Sequence, residues 1–252
     1  MNTGSPSRSA GGPHLATMTW PEAHGEANAG DGALLVVPIG ATEQHGPHLP
    51  LDTDSRVAVA LADELARRRP DVVVAPVLAY GSSGEHAGFT GTLSIGRDAF
   101  EHLIIELVRS ADDWHAGIIL VCGHGGNAVP LERATACLVG EGRRVMTWYP
   151  RLAEADAHAG RTETSLMLAI APELVRLDRA APGTTEPLSA LARTLRAEGV
   201  RAVSPNGILG DPTGASAEEG RQLLGTLSDN LEATVAGWDD CPSPRSSDEA
   251  SA

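Results

Sequence analysis

The chain has 252 residues, 42% of them hydrophobic and 21% charged, with a net charge of −14. That length can bury a sizeable core in one large domain or two small ones, and the acidic balance argues against nucleic-acid or anionic-membrane partners, which need a basic surface. The 19 basic side chains are all arginine, so Schiff-base chemistry, a lysine general base and a P-loop lysine are excluded.

Residues 1–17 are rich in Ser, Gly and Pro and predict a disordered tail without the apolar stretch of a secretory signal. "ALLVVPIG" then reads as a buried strand, and "TDSRVAVALADELARRR" as a helix with basic residues at its end. "DVVVAPVL" is a second strand and "GRDAFEHLIIELVRSADDW" a second helix. "GIILVCG" and "GGNAVPLERATACLVGEG" repeat the alternation, and "RRVMTWYP" supplies a fourth strand. Helical patterns follow in "ETSLMLAIA", "PLSALARTLRAEG" and "SAEEGRQLLGTLSDNLEATVAGW", and residues 239–252 read as a second tail. Continuous apolar strands separated by helices predict an α/β fold, one domain over residues 18–238, with a parallel sheet covered on both faces. No apolar run reaches the length of a membrane span. Cys122, Cys137 and Cys241 are too scattered for a disulfide framework or a thiolate zinc site. A cytoplasmic location is expected.

Ligands of such sheets sit at the carboxyl ends of the strands. The loop after the first strand, "ATEQHGPHLPLDTD", crowds Glu43, His45, His48, Asp52 and Asp54 together. Glu, His and Asp suit zinc, manganese or ferrous iron. The plainer reading is a solvated loop with Asp52 or Asp54 as a helix N-cap. "VCGHGGN" places His124 among glycines after the third strand, either as a metal ligand or beside a phosphate cradle. "DAHAGRTETS" offers His158 in a loop and Glu163 at a helix start, where an acidic residue also suits the helix dipole. Glu85 and His86 lie in a Gly/Ser-rich loop that equally reads as a plain connection. Taken together, Glu43, His45, Asp54, His124 and Glu163 are more ligands than one catalytic zinc takes, and suit two metals sharing a carboxylate.

"PIGATEQHGPHLPLDTD", "YGSSGEHAGFTGTLSIG", "CGHGGN" and "DAHAGRTETSLML" together resemble the creatininase family of metal-dependent amidohydrolases, over roughly residues 33–238. The stretch "TEPLSALARTLRAEGVRAVSPNGILGDPTGASAEEG" resembles the family's mycofactocin-system branch. The resemblance implies a three-layer α/β/α sandwich with a mostly parallel sheet and a ring-like homo-oligomer. It implies two divalent ions per subunit, Fe2+ and/or Zn2+ with Mn2+ possible in their place. Asp54 would bridge them, Glu43 and His124 would hold mainly one, and His45 and Glu163 mainly the other. His158 matches a family histidine placed beside the substrate, and His48 and Asp52 take supporting roles. The branch implies amide hydrolysis on a modified precursor peptide, releasing its C-terminal Val-Tyr-derived dipeptide core. One departure stands out: creatininase proper carries a glutamate where this chain has Gly126, which argues against creatinine as substrate. The alternatives are another family amidohydrolase acting on a small cyclic amide or formamide, and a non-catalytic phosphate- or nucleotide-binding domain.

Overall fold

Six consecutive apolar residues with no polar alternation, Leu34–Ile39, form β1 and are buried throughout, as a strand covered on both faces requires. The computed structural model describes residues 12–25, 33–152 and 155–240. β1 pairs in parallel with β2 (Val72–Val74) on one side and β3 (Gly117–Cys122) on the other. β4 (Val145–Trp148) adds in parallel to β3, giving the order β2-β1-β3-β4. β2 is shorter than the apolar run "DVVVAPVL" suggests. Pro76 has no N–H to give a ladder, yet the segment stays beside β1 through Ala75 N to Val36 O and Leu78 N to Pro38 O.

The helices are α1 (Trp20–Gly25), α2 (Thr53–Arg68), α3 (Arg97–Ala111), α4 (Ala128–Gly140), α5 (Arg161–Ile170), α6 (Leu188–Glu198), α7 (Val200–Val203) and α8 (Ala217–Asp239). Period-2 alternation divides the sheet between two cores. Leu35, Val37, Ile118 and Leu120 face α3 and α4, packing with Phe100, Ile104 and Leu131. Leu34, Val36, Ile119 and Val121 face α2 and α8, packing with Leu61, Leu65 and Leu231. The result is the three-layer α/β/α sandwich expected. Each such aliphatic side chain contributes about 1.5–3 kcal/mol on burial. α8 begins at a serine N-cap, with Ser216 Oγ accepting from Glu219 N at 3.2 Å.

Residues 12–17 correct the expected tail. Pro13 O accepts from Val74 N at 2.9 Å, His14 bridges Val74, and Leu15 packs against the core. Bare sheet-edge groups and apolar surface take up this segment despite its composition. At the other end, Asp239 closes α8 and Asp240 is its C-cap, where the sequence predicts the second tail to begin; residues 1–11 and 241–252 lie outside the described residues. Among the described residues no helix is long and apolar enough to cross a membrane.

Candidate metal centre

All four strands run the same way, so their carboxyl ends meet at one edge, and the four loops singled out in the sequence leave from it. Asn127 ties three of them together. Its Oδ1 accepts from Ser82 N at 2.8 Å and its Nδ2 donates to Gly40 O at 3.0 Å. Gly40 and Gly123 bring the ends of β1 and β3 against the first turn of α2. A Cβ at Gly40 would lie 2.3 Å from Ser55 Oγ, and one at Gly123 would lie 2.5 Å from Asp54 O. These close approaches aim Asp54 into the junction.

Glu43, His45 and Asp54 are buried there. His45 Nδ1 lies 3.1 Å from Glu43 O, and a carbonyl only accepts, so this nitrogen carries the proton. His45 Nε2 then faces Asp54 Oδ1 at 3.1 Å and Glu163 Oε2 at 3.9 Å. By the same reasoning His124 donates from Nε2 to Ser82 O at 3.1 Å, and its Nδ1 lies 3.3 Å from Asp54 Oδ2. Glu43 Oε2 is 3.2 Å from His124 Nε2, and Glu43 Oε1 is 3.2 Å from His86 Nε2. The five expected ligands are thus brought together, with Asp54 between His45 and His124. Three overlapping sets, Glu43/His45/Asp54, His45/His158/Glu163 and Glu43/His86/His158, each hold ligand atoms within 4.8 Å of one another.

Glu43 Oε1, Glu43 Oε2 and Asp54 Oδ2 are buried without a hydrogen-bond partner. Buried carboxylate oxygens are costly in that state, and a cation among them would remove the cost. The donor set, imidazole and carboxylate, also suits zinc, manganese or iron. The residues present therefore fit a metal centre.

The electrostatics agree. Burial disfavours charge on His45, but Asp54, Glu163 and Glu43 outweigh it and push its pKa up to about 10. His124 is likewise raised, by Glu43 and Asp54 against burial. Burial would raise Asp54, yet the two histidines hold it well below the usual carboxylate range. Burial pushes Glu163 up to about 7, with His45 pulling the other way. Without metal, protons take the place of cations.

His158 is aimed inward by a strained turn. Ala159, fully buried, has φ +52°, a conformation that alanine rarely adopts. Glu163 Oε2 accepts from Ala159 N at 2.6 Å, and His158 pairs with Leu209 across an isolated bridge. Burial, followed by the charge of His45, holds the His158 pKa well below its ordinary value. His48 donates to or accepts from Thr164 Oγ1 at 2.9 Å, pinning the loop to α5 beside Glu163. Asp52 stays outside the cluster and pairs with Arg56 at 2.8 Å. Neither Asp52 nor Asp54 caps α2: Asp52 stands at the N-cap position but makes no side-chain cap bond.

The sequence carries no signal for Gln44, and it leaves Glu85 and His86 open between a site and a plain connection. His86 is buried against Glu43, with its ring 4.5 Å from that of His158. Gln44 touches both of these histidines. Glu85 Oε1 lies 3.5 Å from His124 Nε2, and a Cβ at Gly126 would fall 2.0 Å from that oxygen. The bare glycine is what lets Glu85 in. Carboxylates of Glu43, Asp54 and Glu85 around His124 also make the "GHGGN" loop repel a phosphate, which does not favour the phosphate-binding alternative.

Fold and site together define an α/β/α protein with a buried cluster of candidate metal ligands at one sheet edge. The chain belongs to the creatininase family, whose sequence profile, described as creatinine amidohydrolase, matches residues 16–235. It is 48% identical over 211 residues to the mycofactocin precursor peptide peptidase of Mycolicibacterium smegmatis, covering 81% of this chain and 85% of that protein. It is 28% identical over 243 residues to the creatinine amidohydrolase of Pseudomonas putida, covering 83% and 91%. Among solved structures it is similar to a manganese creatininase, with TM-score 0.75 and 25% identity over 89% of this chain and 97% of the other. A creatininase variant of Zn-Zn type gives TM-score 0.71 and 25% identity, over 88% and 96%.

Proposed function

We propose that the chain is a cytoplasmic metal-dependent peptidase. It cleaves the modified mycofactocin precursor peptide and releases the C-terminal Val-Tyr-derived dipeptide core used in making that redox cofactor. The observation that carries the hydrolase reading is the set of buried carboxylate oxygens on Glu43 and Asp54 that lack partners among histidines at one sheet edge. The substrate rests on the likeness to the Mycolicibacterium peptidase.

Glu43 and His124 would hold mainly one divalent ion, His45 and Glu163 mainly a second, and Asp54 would bridge them. Iron or zinc, with manganese as the other fit, would supply Lewis-acid activation of the attacking water and of the amide carbonyl. The chain's own contribution is orientation and proton transfer. His158 Nδ1 lies 3.9 Å from Glu43 Oε1 and faces the same space. It collects the proton lost by the attacking water and delivers it to the leaving nitrogen, a role worth about 10²–10⁴ in rate. The burial of the site keeps bulk water from competing with these contacts.

Mass spectrometry of metal-loaded protein incubated with modified precursor peptide, and separately with creatinine, tests the reading. Release of the dipeptide-derived core is expected. Creatine formed while the peptide stays intact would reassign the substrate, and protein that holds no metal after loading would remove the hydrolase reading altogether.

A further inference from the structure

Gln44 sits between Glu43 and His45, and both ends of its buried side-chain amide are fixed by the backbone. Oε1 accepts from Gly46 N at 2.8 Å, and Nε2 donates to Gly207 O at 3.0 Å. An N–H can only donate and a carbonyl can only accept, so the amide has one orientation. Gly207, at φ +81°, completes the cradle: a Cβ there would lie 1.9 Å from Gln44 Oε1.

That orientation decides two protons elsewhere. Gln44 Nε2 is also 2.9 Å from His86 Nδ1. The amide nitrogen is a donor, so His86 Nδ1 must be the bare acceptor and its proton sits on Nε2, 3.2 Å from Glu43 Oε1. His158 Nε2 lies 2.9 Å from the main-chain oxygen of Gln44, so it is an N–H, and in the neutral ring Nδ1 keeps the lone pair. The 3.1 Å approach of Gln44 Nε2 to His158 Nε2 is then donor beside donor. The two amide protons go to Gly207 O and His86 Nδ1.

We propose that Gln44 is a positioning residue which sets His86 and His158 as neutral Nε2–H tautomers, through its side-chain amide and its main-chain carbonyl respectively. Two consequences follow. His86 turns a protonated nitrogen, not a lone pair, toward Glu43 Oε1 at 3.2 Å, so in this state it is not poised to ligate a metal from that side. His158 presents a lone pair at Nδ1, the state needed to accept a proton. The kinetic part of this inference rests on the hydrolase reading, whereas the tautomers do not.

Neutron diffraction from deuterated protein at neutral pD, metal-free and metal-loaded, reads the tautomers directly. Deuterium is expected on Nε2 of both His86 and His158; deuterium on Nδ1 of His86 would overturn the proposal whether or not the protein cleaves peptide. In kinetics, Gln44→Met keeps the volume and the main-chain carbonyl that holds His158, but removes the donor to His86, so it tests that arm alone. It should lower kcat about 10–100-fold, the usual cost of losing a group that orients a site residue, with KM and metal content retained. An unchanged kcat, or a loss that merely follows loss of metal, would overturn it. If the variant does not fold, the neutron result on the unmodified chain decides. Absence of cleavage by the unmodified chain would instead count against the hydrolase reading.

Discussion

At the scale of single residues, Asp54 and His158 should fail in different ways. Asp54 lies between His45 and His124, its oxygens 3.1 and 3.3 Å from their nitrogens, so Asp54→Asn removes charge from the centre of the cluster. Elemental analysis should find the metal content cut to one ion per chain or none, with peptide cleavage lost. His158→Gln should keep the metal and lower kcat about 10²–10⁴-fold; metal lost in parallel would make His158 a ligand rather than a proton carrier. Metal uptake should also depend on pH. With Nδ1 of His45 engaged by Glu43 O, the metal must bind Nε2, which is protonated below about pH 10 in the metal-free protein. Each ion held there expels a proton, so apparent affinity should fall about tenfold per pH unit as pH drops. Below pH 7 the fall should steepen, because Glu163 also takes up a proton. Calorimetry in buffers of different ionisation enthalpy measures the proton count; an affinity flat from pH 6 to 9 would contradict this account.

Between elements, the site depends on how closely α2 approaches the sheet. Gly123→Ala places a methyl 2.5 Å from Asp54 O, a main-chain atom that cannot rotate away. The first turn of α2 must shift and take Asp54 with it. Expected are a loss of about 1–3 kcal/mol in stability, as for overpacking, and a larger loss of bound metal, measured by denaturation and elemental analysis on the same preparation. Gly225→Ala, with open space around its Cβ, is the matched control. Most elements were legible because their periodicities are clean: four apolar runs gave four strands, and apolar residues at helical spacing gave α2 to α6 and α8. β2 was read too long because an apolar run does not reveal where Pro76 interrupts pairing. The order of Gly12–Thr17 was missed because it depends on the edge of β2, some 60 residues away in sequence.

Across the whole molecule, legibility of the site followed distance along the chain. Glu43, His45 and Asp54 share one short stretch, the loop after β1 and the first turn of α2, and announce themselves by crowding. His124 and Glu163 follow once strand ends are recognised as meeting points. The role of His86 stays open in the sequence because its contact with Gln44 spans 42 residues, and Gln44, which reaches His158 across 114, is illegible there; a glutamine flanked by ligands carries no signal of its own. The same loops form an outer surface that bears on assembly. Tyr80 and Leu93 are 55% and 53% exposed, and Leu51, Val77 and Ile95 are exposed as well. Backbone bonds from Leu93 N to Thr42 O and from Ile95 N to Gly81 O hold these loops side by side. Exposed apolar side chains on these loops are where a contact with a second copy of the chain is to be sought, since most soluble oligomers are symmetric homo-oligomers. Leu93→Glu would place like charges across such an interface and a carboxylate within it. It should shift the protein to smaller species by light scattering while leaving circular dichroism unchanged, and an unchanged mass would locate the oligomer contact elsewhere on the surface.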